Sequence, residues 1–412
     1  MAGVGAIVEG GLCIGCGLCE AIAGPDRLQI VMTPEGRERP LGLQPLDAAT
    51  NALIYDVCPG SRISGQAAPE APVDPIWGPC FRIDRGYAGD PEIRFKAATG
   101  GVLTGLAVWL LESGRVDFVL QVRARDDAPM RSTWQLSRSR ADVLRATGSR
   151  YGPAAPLAGL EAALREQRPF AFIGKPCDVG ALRRLARRDP RIDRHCRAML
   201  TLVCGGASEL GKSTEVLERF GLREEEIRLF RYRGHGNPGP TRVETKDGRV
   251  FEVSYNDMWA DEAGWRLQFR CKICPDAIGE VADVTASDVW PGGGPSGEDE
   301  GFNGIFARTE RGLELVLAAA RDGALVLEHP LTPRELDEFQ PHQVRKKRAV
   351  WARILALRQA GRLAPVVEGL RVEALARGNG VAANLREARG TRRRIRGGKT
   401  AEPPASRDTE RT

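Results

Sequence analysis

Ten cysteines stand in a chain of 412 residues, and their spacing is the first chemical signal. Cys13, Cys16 and Cys19 follow at two-residue intervals in CIGCGLC, and Cys58-Pro59 comes much later. A loop that keeps turning presents three such thiolates to three corners of a cubane. Gly15 and Gly17 let backbone N–H groups approach the sulfurs. A remote Cys-Pro closing the fourth corner is the bacterial ferredoxin arrangement, so this pattern predicts a 4Fe-4S cluster. Structural zinc is the alternative. Zinc sites usually pair two C-x2-C units, which leaves the third cysteine of the run unexplained.

A second set is more scattered. Cys177 in AFIGKPCD and Cys204 in LTLVCGG each follow a predicted strand, and Cys271 and Cys274 form CKIC before Pro275. Loops at the carboxyl ends of neighbouring strands converge in an α/β sheet, so these four are a candidate second ligand set. Spacing alone also fits a redox disulfide or half a zinc site at CKIC, and small buried cysteines after the strands. Cys80 and Cys196 carry no assigned role. Residues 206–213, GASELGKS, match the P-loop pattern between a predicted strand and helix, which raises a P-loop NTPase as a reading. Glu209 would put a carboxylate where phosphates must sit. None of the four intervening residues is glycine, and Cys204 lies just before the loop.

The elements that must hold these residues read as α/β (mixed α+β). From about Tyr87 to Pro330 helix and strand patterns alternate. Predicted helices cover 102–112, 157–167, 178–188 and 208–220; predicted strands cover 116–122, 170–173, 198–203 and 281–289. Lys246-Asp247-Gly248 turns a hairpin within 242–253, and 305–307, 310–321 and 324–327 form a last strand–helix–strand unit. The expected organisation is a ferredoxin-like iron–sulfur segment at 1–65, a Pro-rich connector at 66–86 and a body at 87–330. A helical closing region at 331–370 and a basic, disordered tail at 371–412 complete it.

Sixty Lys/Arg face 54 Asp/Glu, a formal charge of +6. Residues 371–412 hold eleven of the bases and five of the acids, so all of that excess sits in the tail. A balanced body argues against a basic nucleic-acid-binding body, and no nucleic-acid partner is expected. The N-terminus has no basic n-region or long apolar h-region. The longest apolar stretch, residues 102–111, is about half of the roughly 20 residues a membrane span needs. These features, with 42% hydrophobic and 28% charged residues, predict a soluble cytoplasmic protein. Close-set cysteines do metal or redox work in that compartment.

The ordered motifs CIGCGLCE with VCPG, ATGGVLTGLAVWLLESGRVD, ATGSRYGP, FIGKPCDVGALR, LVCGG, LFRYRGHGNPG and CKICPDAIGEVADVTASDVW make residues 10–330 resemble the coenzyme F-420 hydrogenase/dehydrogenase beta-subunit family. These are iron–sulfur flavoproteins, and the family includes ferredoxin-dependent reductases of chlorophyll-type tetrapyrroles. The resemblance implies FAD on the sheet-and-helix body. It also implies a second 4Fe-4S cluster on Cys177, Cys204, Cys271 and Cys274. It points to Thr99, Gly100 and Gly101 at a helix start for the pyrophosphate, where backbone amides and the helix dipole favour an anion. Without the resemblance, a Gly-Gly before a helix is simply a turn.

The resemblance also points to Ser149, Arg150, Tyr151 and Gly152 near the flavin, with Arg150 in place of the family's frequent Lys. Asp288 and Trp290 fall in a Gly-Asp-x-Trp signature whose Gly is Ser287 here. Lys175, Arg231, Arg233 and His235 are further candidates for contact with substrate or phosphate, against the alternative of ordinary loop and surface residues. The implied activity moves electrons between an external carrier (ferredoxin or a partner redox subunit), two clusters, FAD, and a small organic substrate or deazaflavin coenzyme F-420. A tetrapyrrole reductase, a non-catalytic electron-transfer subunit and the P-loop NTPase are the other readings.

Overall fold

The computed structural model describes residues 3–65 and 70–406. Its centre is an eight-stranded sheet in the order Leu325–Pro330, Arg82–Ala88, Asn303–Ala307, Val284–Asp288, Cys196–Leu202, Phe170–Gly174, Phe118–Ala124, Ser132–Ser137. The four strands from Val284–Asp288 to Phe118–Ala124 run parallel, and the strands outside them are antiparallel. Phe170–Gly174 (FAFIG) and the start of Phe118–Ala124 (FVL) are apolar runs because both faces are covered there. Alternate side chains separate the faces. Val119 joins the core under the helices Val102–Glu112 and Glu310–Arg321. Phe118 and Leu120 join a second core under Leu160–Arg165 and Pro176–Ala186.

The cysteine-bearing N-terminal segment closes on that second face. Cys16, Leu18 and Val57 are part of the same core as Phe170, Phe172 and Val179. The Cys16 carbonyl accepts a hydrogen bond from the Leu157 amide at 2.9 Å. Gly17 permits the approach. It adopts φ +84°, and a Cβ there would stand 2.5 Å from the Ala158 nitrogen. The predicted hairpin is present as Thr241–Thr245 and Val250–Val253. With Ile227–Arg231 it forms a separate three-stranded sheet.

Two expectations of the sequence are corrected. Residues 66–86 are not simply a linker, because Arg82–Ala88 is a strand deep in the main sheet. Trp77 is wholly buried before it, its indole N–H donating to Asp337 at 2.9 Å. The prolines mark short turns there; residues 66–69 of the connector lie outside the described residues. The tail is helical rather than disordered: Val372–Gly378 and Val381–Arg396 are helices. Their Ala, Leu and Arg are good helix formers. Ile395 packs on the core that includes Val350 and Ile354 of the helix Pro341–Gln359, and Arg353 pairs with Glu387 at 2.7 Å. Residues 407–412 of the tail lie outside the described residues. The helix predicted from 208 begins at Gly211.

Glu280, fully buried, fastens the C-terminal helices to the loop after CKIC. It pairs with Lys347 and with Arg371. Removing one member of a buried ion pair leaves the other charge uncompensated. Glu280→Met is therefore expected to lower unfolding stability by about 3 kcal/mol, read as a drop in the denaturant midpoint.

Candidate functional site

The carboxyl ends of the parallel strands open on one cavity of about 540 Å³. Lys175 and Asp178 follow Phe170–Gly174, Cys204 to Ser208 follow Cys196–Leu202, and Ser287 and Asp288 end Val284–Asp288; all line it. This is the place where open α/β sheets hold ligands, and the volume lies in the range of cofactor sites. Thr99, Gly101 and the first turn of the helix Val102–Glu112 line the same cavity. The Val102 amide donates to Asn303 Oδ1 at 3.3 Å; the next amides of the first turn, with the helix dipole, favour an anion there. Gly101 caps it with φ +73°.

Arg233 is buried at the cavity wall. Its Nη1 donates to Asp288 Oδ2 at 3.3 Å and to the Tyr151 hydroxyl at 3.4 Å, and its Nη2 donates to Thr99 Oγ1 at 3.1 Å. The guanidinium lies over the rings of Trp290 and Tyr255. Burial opposes its charge, but Asp288 with the hydroxyls of Tyr151 and Tyr255 outweighs that, and the group is held charged. Thr99 also donates to Asp288. Four of the singled-out residues, Thr99, Tyr151, Arg233 and Asp288, thus meet in one network. The indole nitrogens of Trp259 and Trp290, Ser208 Oγ and Arg233 Nε are buried without a protein partner, and all four residues line the cavity. They are donors available to an acceptor-rich ligand.

The other predicted residues divide. Ser149 and Tyr151 line the cavity. Gly100 packs against Asn303 and the Gly86 carbonyl, and Gly152 against the Tyr232 hydroxyl; both shape the wall without lining it. Arg150 lines the cavity, but its guanidinium donates to the carbonyls of Pro129, Met130, Arg131 and Phe230. It braces backbone instead of standing free as a cation. His235 has φ +59°, meets Phe95 edge to face, and with Arg231 is outside the cavity lining. Tyr255, Trp259, Trp265 and His342 line the cavity and escaped sequence reading; the aromatic run in YNDMWADEAGW was the available signal.

Cys13, Cys16, Cys19 and Cys58 surround a separate apolar cavity. Gly15 and Gly60 direct their amides at Cys13 Sγ (3.4 Å) and Cys58 Sγ (3.3 Å). Burial pushes the Cys58 thiol up to about 11 and raises the other three as well. Burial raises the thiols of Cys177 and Cys204, with Cys274 near both and Cys271 near Cys204, and the Ala207 amide donates to Cys271 Sγ at 3.4 Å. Among the described residues no group of three or more His, Cys, Asp or Glu is arranged around a single metal ion. The first set lines one common cavity, whereas of the second set Cys204 faces the large cavity and Cys177 and Cys274 a small one beside Arg270.

Arg270, 1% exposed, stands between the two sets. It donates through Nε and Nη2 to the Pro59 carbonyl at 3.0 and 2.8 Å, beside Cys58. Burial opposes its charge, and the thiols of Cys274, Cys177 and Cys271 outweigh that. Among the described residues no carboxylate pairs with it. A buried cation facing sulfurs, and amides aimed at sulfurs, fit ligands that carry negative charge, as the thiolates of an anionic iron–sulfur centre do.

The P-loop reading fails on geometry. The amides of Ser208, Glu209 and Leu210 donate to the carbonyls of Tyr151, Arg266 and Gly36, and that of Ala207 to Cys271. Glu209 pairs with Arg37 at 2.5 Å. No row of amides is left to cradle phosphates.

His342 supplies a pH test of the cavity wall. Burial lowers it from 6.5 to about 4. Below pH 6.5 the unfolded chain takes a proton that the folded chain refuses until about pH 4, so stability is lost as pH falls through that window. The denaturant midpoint is expected to drop between those limits, and His342→Gln to flatten the drop.

Comparison with known proteins places residues 84–161 in the N-terminal, and residues 167–332 in the C-terminal, part of the coenzyme F420 hydrogenase/dehydrogenase beta subunit. The first cysteine set lies outside both spans. The chain is 28% identical over 257 residues to the beta subunit of F420-dependent formate dehydrogenase 1 of Methanococcus maripaludis, covering 61% of this chain and 62% of that one. It is 27% identical to the coenzyme F420 hydrogenase beta subunit of Methanococcus voltae, over 62% of this chain and 84% of that one. A chain of the F420-reducing [NiFe] hydrogenase complex of Methanosarcina barkeri shares the fold, with TM-score 0.56 and 22% identity over 71% of this chain and 97% of its own. The chain thus spans under two thirds of the first of these relatives.

Proposed function

This chain belongs to the coenzyme F420 hydrogenase/dehydrogenase beta-subunit family, and we propose that it is an iron–sulfur flavoprotein oxidoreductase subunit. It would exchange electrons with an external carrier or partner redox subunit and act on a small organic substrate or deazaflavin coenzyme. When bound, 4Fe-4S clusters supply one-electron steps and FAD converts them to hydride chemistry. Cys13, Cys16, Cys19 and Cys58 would hold one cluster, and Cys177, Cys204, Cys271 and Cys274 the other. Thr99 and Gly101 at the helix start would take the FAD pyrophosphate. Arg233 would fix Asp288 and Tyr151 against the ligand, while Trp259 and Trp290 offer it indole N–H donors. Names of relatives support the redox class: formate dehydrogenase and hydrogenase subunits, and a coenzyme F420-dependent sulfite reductase of Methanocaldococcus jannaschii at 23% identity.

The observation that carries the reading is Arg270, a buried cation that faces the Pro59 carbonyl and both cysteine sets. Its placement gives both sets one shared wall. Cys204 puts the second set on the cavity as well, so the order would run from first set to second set to flavin. Among the described residues no helix is long and apolar enough to cross a membrane.

Anaerobic purification followed by iron, sulfide and flavin analysis tests this directly. The expected result is about eight Fe and one FAD per chain, with Cys16→Ser and Cys271→Ser each retaining about four Fe. Zinc in place of iron, or no flavin, overturns it.

A further inference from the structure

Arg270 has a counterpart on the other side of the gap between the cysteine sets. Arg39, 1% exposed, lies on the strand Glu38–Gly42. The neighbouring Glu38 carbonyl packs on Gly15, where a Cβ would stand only 2.5 Å from it. Arg39 Nη2 donates at 2.9 Å to Gln268 Oε1, three residues before Cys271. Its charge is favoured by Cys13 of the first set and Cys271 of the second.

Unlike Arg270, Arg39 has a carboxylate. Its Nε and Nη2 donate to Glu402 Oε2 at 2.6 Å and Oε1 at 2.9 Å. Glu402 follows the last helix, in the region whose charge suggested a loose basic tail. That segment is fixed in place: the Glu402 amide donates to the Glu9 carbonyl at 3.0 Å. The Thr400 carbonyl packs on Gly11, 3.1 Å from where a Cβ would be. Arg37 also reaches Glu402, at 3.1 Å, but has Glu209 as its own partner. So of the two guanidiniums between the cysteine sets, one is neutralised by the C-terminal segment and one is not.

We propose that this segment tunes the first iron–sulfur centre: Glu402 cancels the charge of Arg39 beside Cys13 and thereby holds that centre at a lower reduction potential than the bare arginine would impose. The inference rests on the cluster reading above. Reduction adds a negative charge to the centre, and a net positive neighbour favours the reduced form. In a buried site that effect is weakly screened. Arg39 and Glu402 are positioning residues, acting on the centre through charge without ligating it.

The test is an EPR-monitored redox titration of the full chain, following the signal that Cys16→Ser abolishes. Glu402→Gln is expected to favour the reduced form at least tenfold, an upward shift of about 59 mV for one electron. Glu402→Asp keeps the charge and is expected to follow the wild type. The double variant Arg39→Met with Glu402→Gln restores the charge sum and is expected to return to the wild-type curve, which loss of packing alone would not do. Should Glu402→Gln not fold, Arg39→Met decides the matter with a downward shift. A Glu402→Gln chain that keeps its iron but does not shift overturns the proposal. So does a double variant displaced as far as the single one, or an unshifted Arg39→Met. Wild-type protein without iron defeats the cluster reading at the outset, and this proposal falls with it.

Discussion

The donation from Arg270 to the Pro59 carbonyl holds the rest of the site together. It ties the short helix Phe269–Lys272, which carries Cys271, to the loop that carries Cys58. A guanidinium this deeply buried costs several kcal/mol in desolvation unless negative charge faces it. Here the facing groups are sulfurs from both cysteine sets. Two centres that each gather negative charge would repel across a low-dielectric gap, and a cation between them relieves that repulsion. The placement of Arg270 fits the proposed reading, in which the cysteines are ligands and the two sets work as a pair.

The sheet supplies the other half of the arrangement. Parallel strands bring their carboxyl ends to one edge, which bears Lys175 and, at the start of the next helix, Cys177, then Cys204, then Asp288. One loop, residues 203–210, serves both sides: it carries Cys204 and lines the large cavity while its amides are bound to neighbouring carbonyls and to Cys271. The N-terminal segment closes the opposite side through Cys16, Leu18 and Val57 in the second core. Redox groups held this way would share walls without long solvent gaps between them.

The first cysteine set was legible in sequence because its geometry is local: three thiols in one turning loop. The second set was read from the convergence of strand ends for Cys177 and Cys204, from the close CKIC pair, and chiefly from the family resemblance. Arg82–Ala88 was hidden by prolines just before it, since turn residues precede strands as readily as they fill linkers. The C-terminal helices were hidden because their stability comes from partners far back in the chain, Glu402 on Arg39 and Ile395 on the core around Val350. Net charge in a segment says nothing about such partners. Arg150 shows the reverse error: a residue type suited to a flavin is occupied by backbone carbonyls contributed by Pro129 to Arg131 and Phe230. Arg233, one of two alternating candidates, became distinct only when its contacts with Asp288 and Thr99 were seen.

The central claim is that two iron–sulfur centres occupy adjacent pockets around Arg270. Spin quantitation and line shape of the fully reduced protein by EPR test it most directly. The expected result is about two spins per chain with a signal broadened or split by magnetic interaction between neighbouring clusters. One spin per chain, or two spins giving a simple sum of isolated signals, would contradict it.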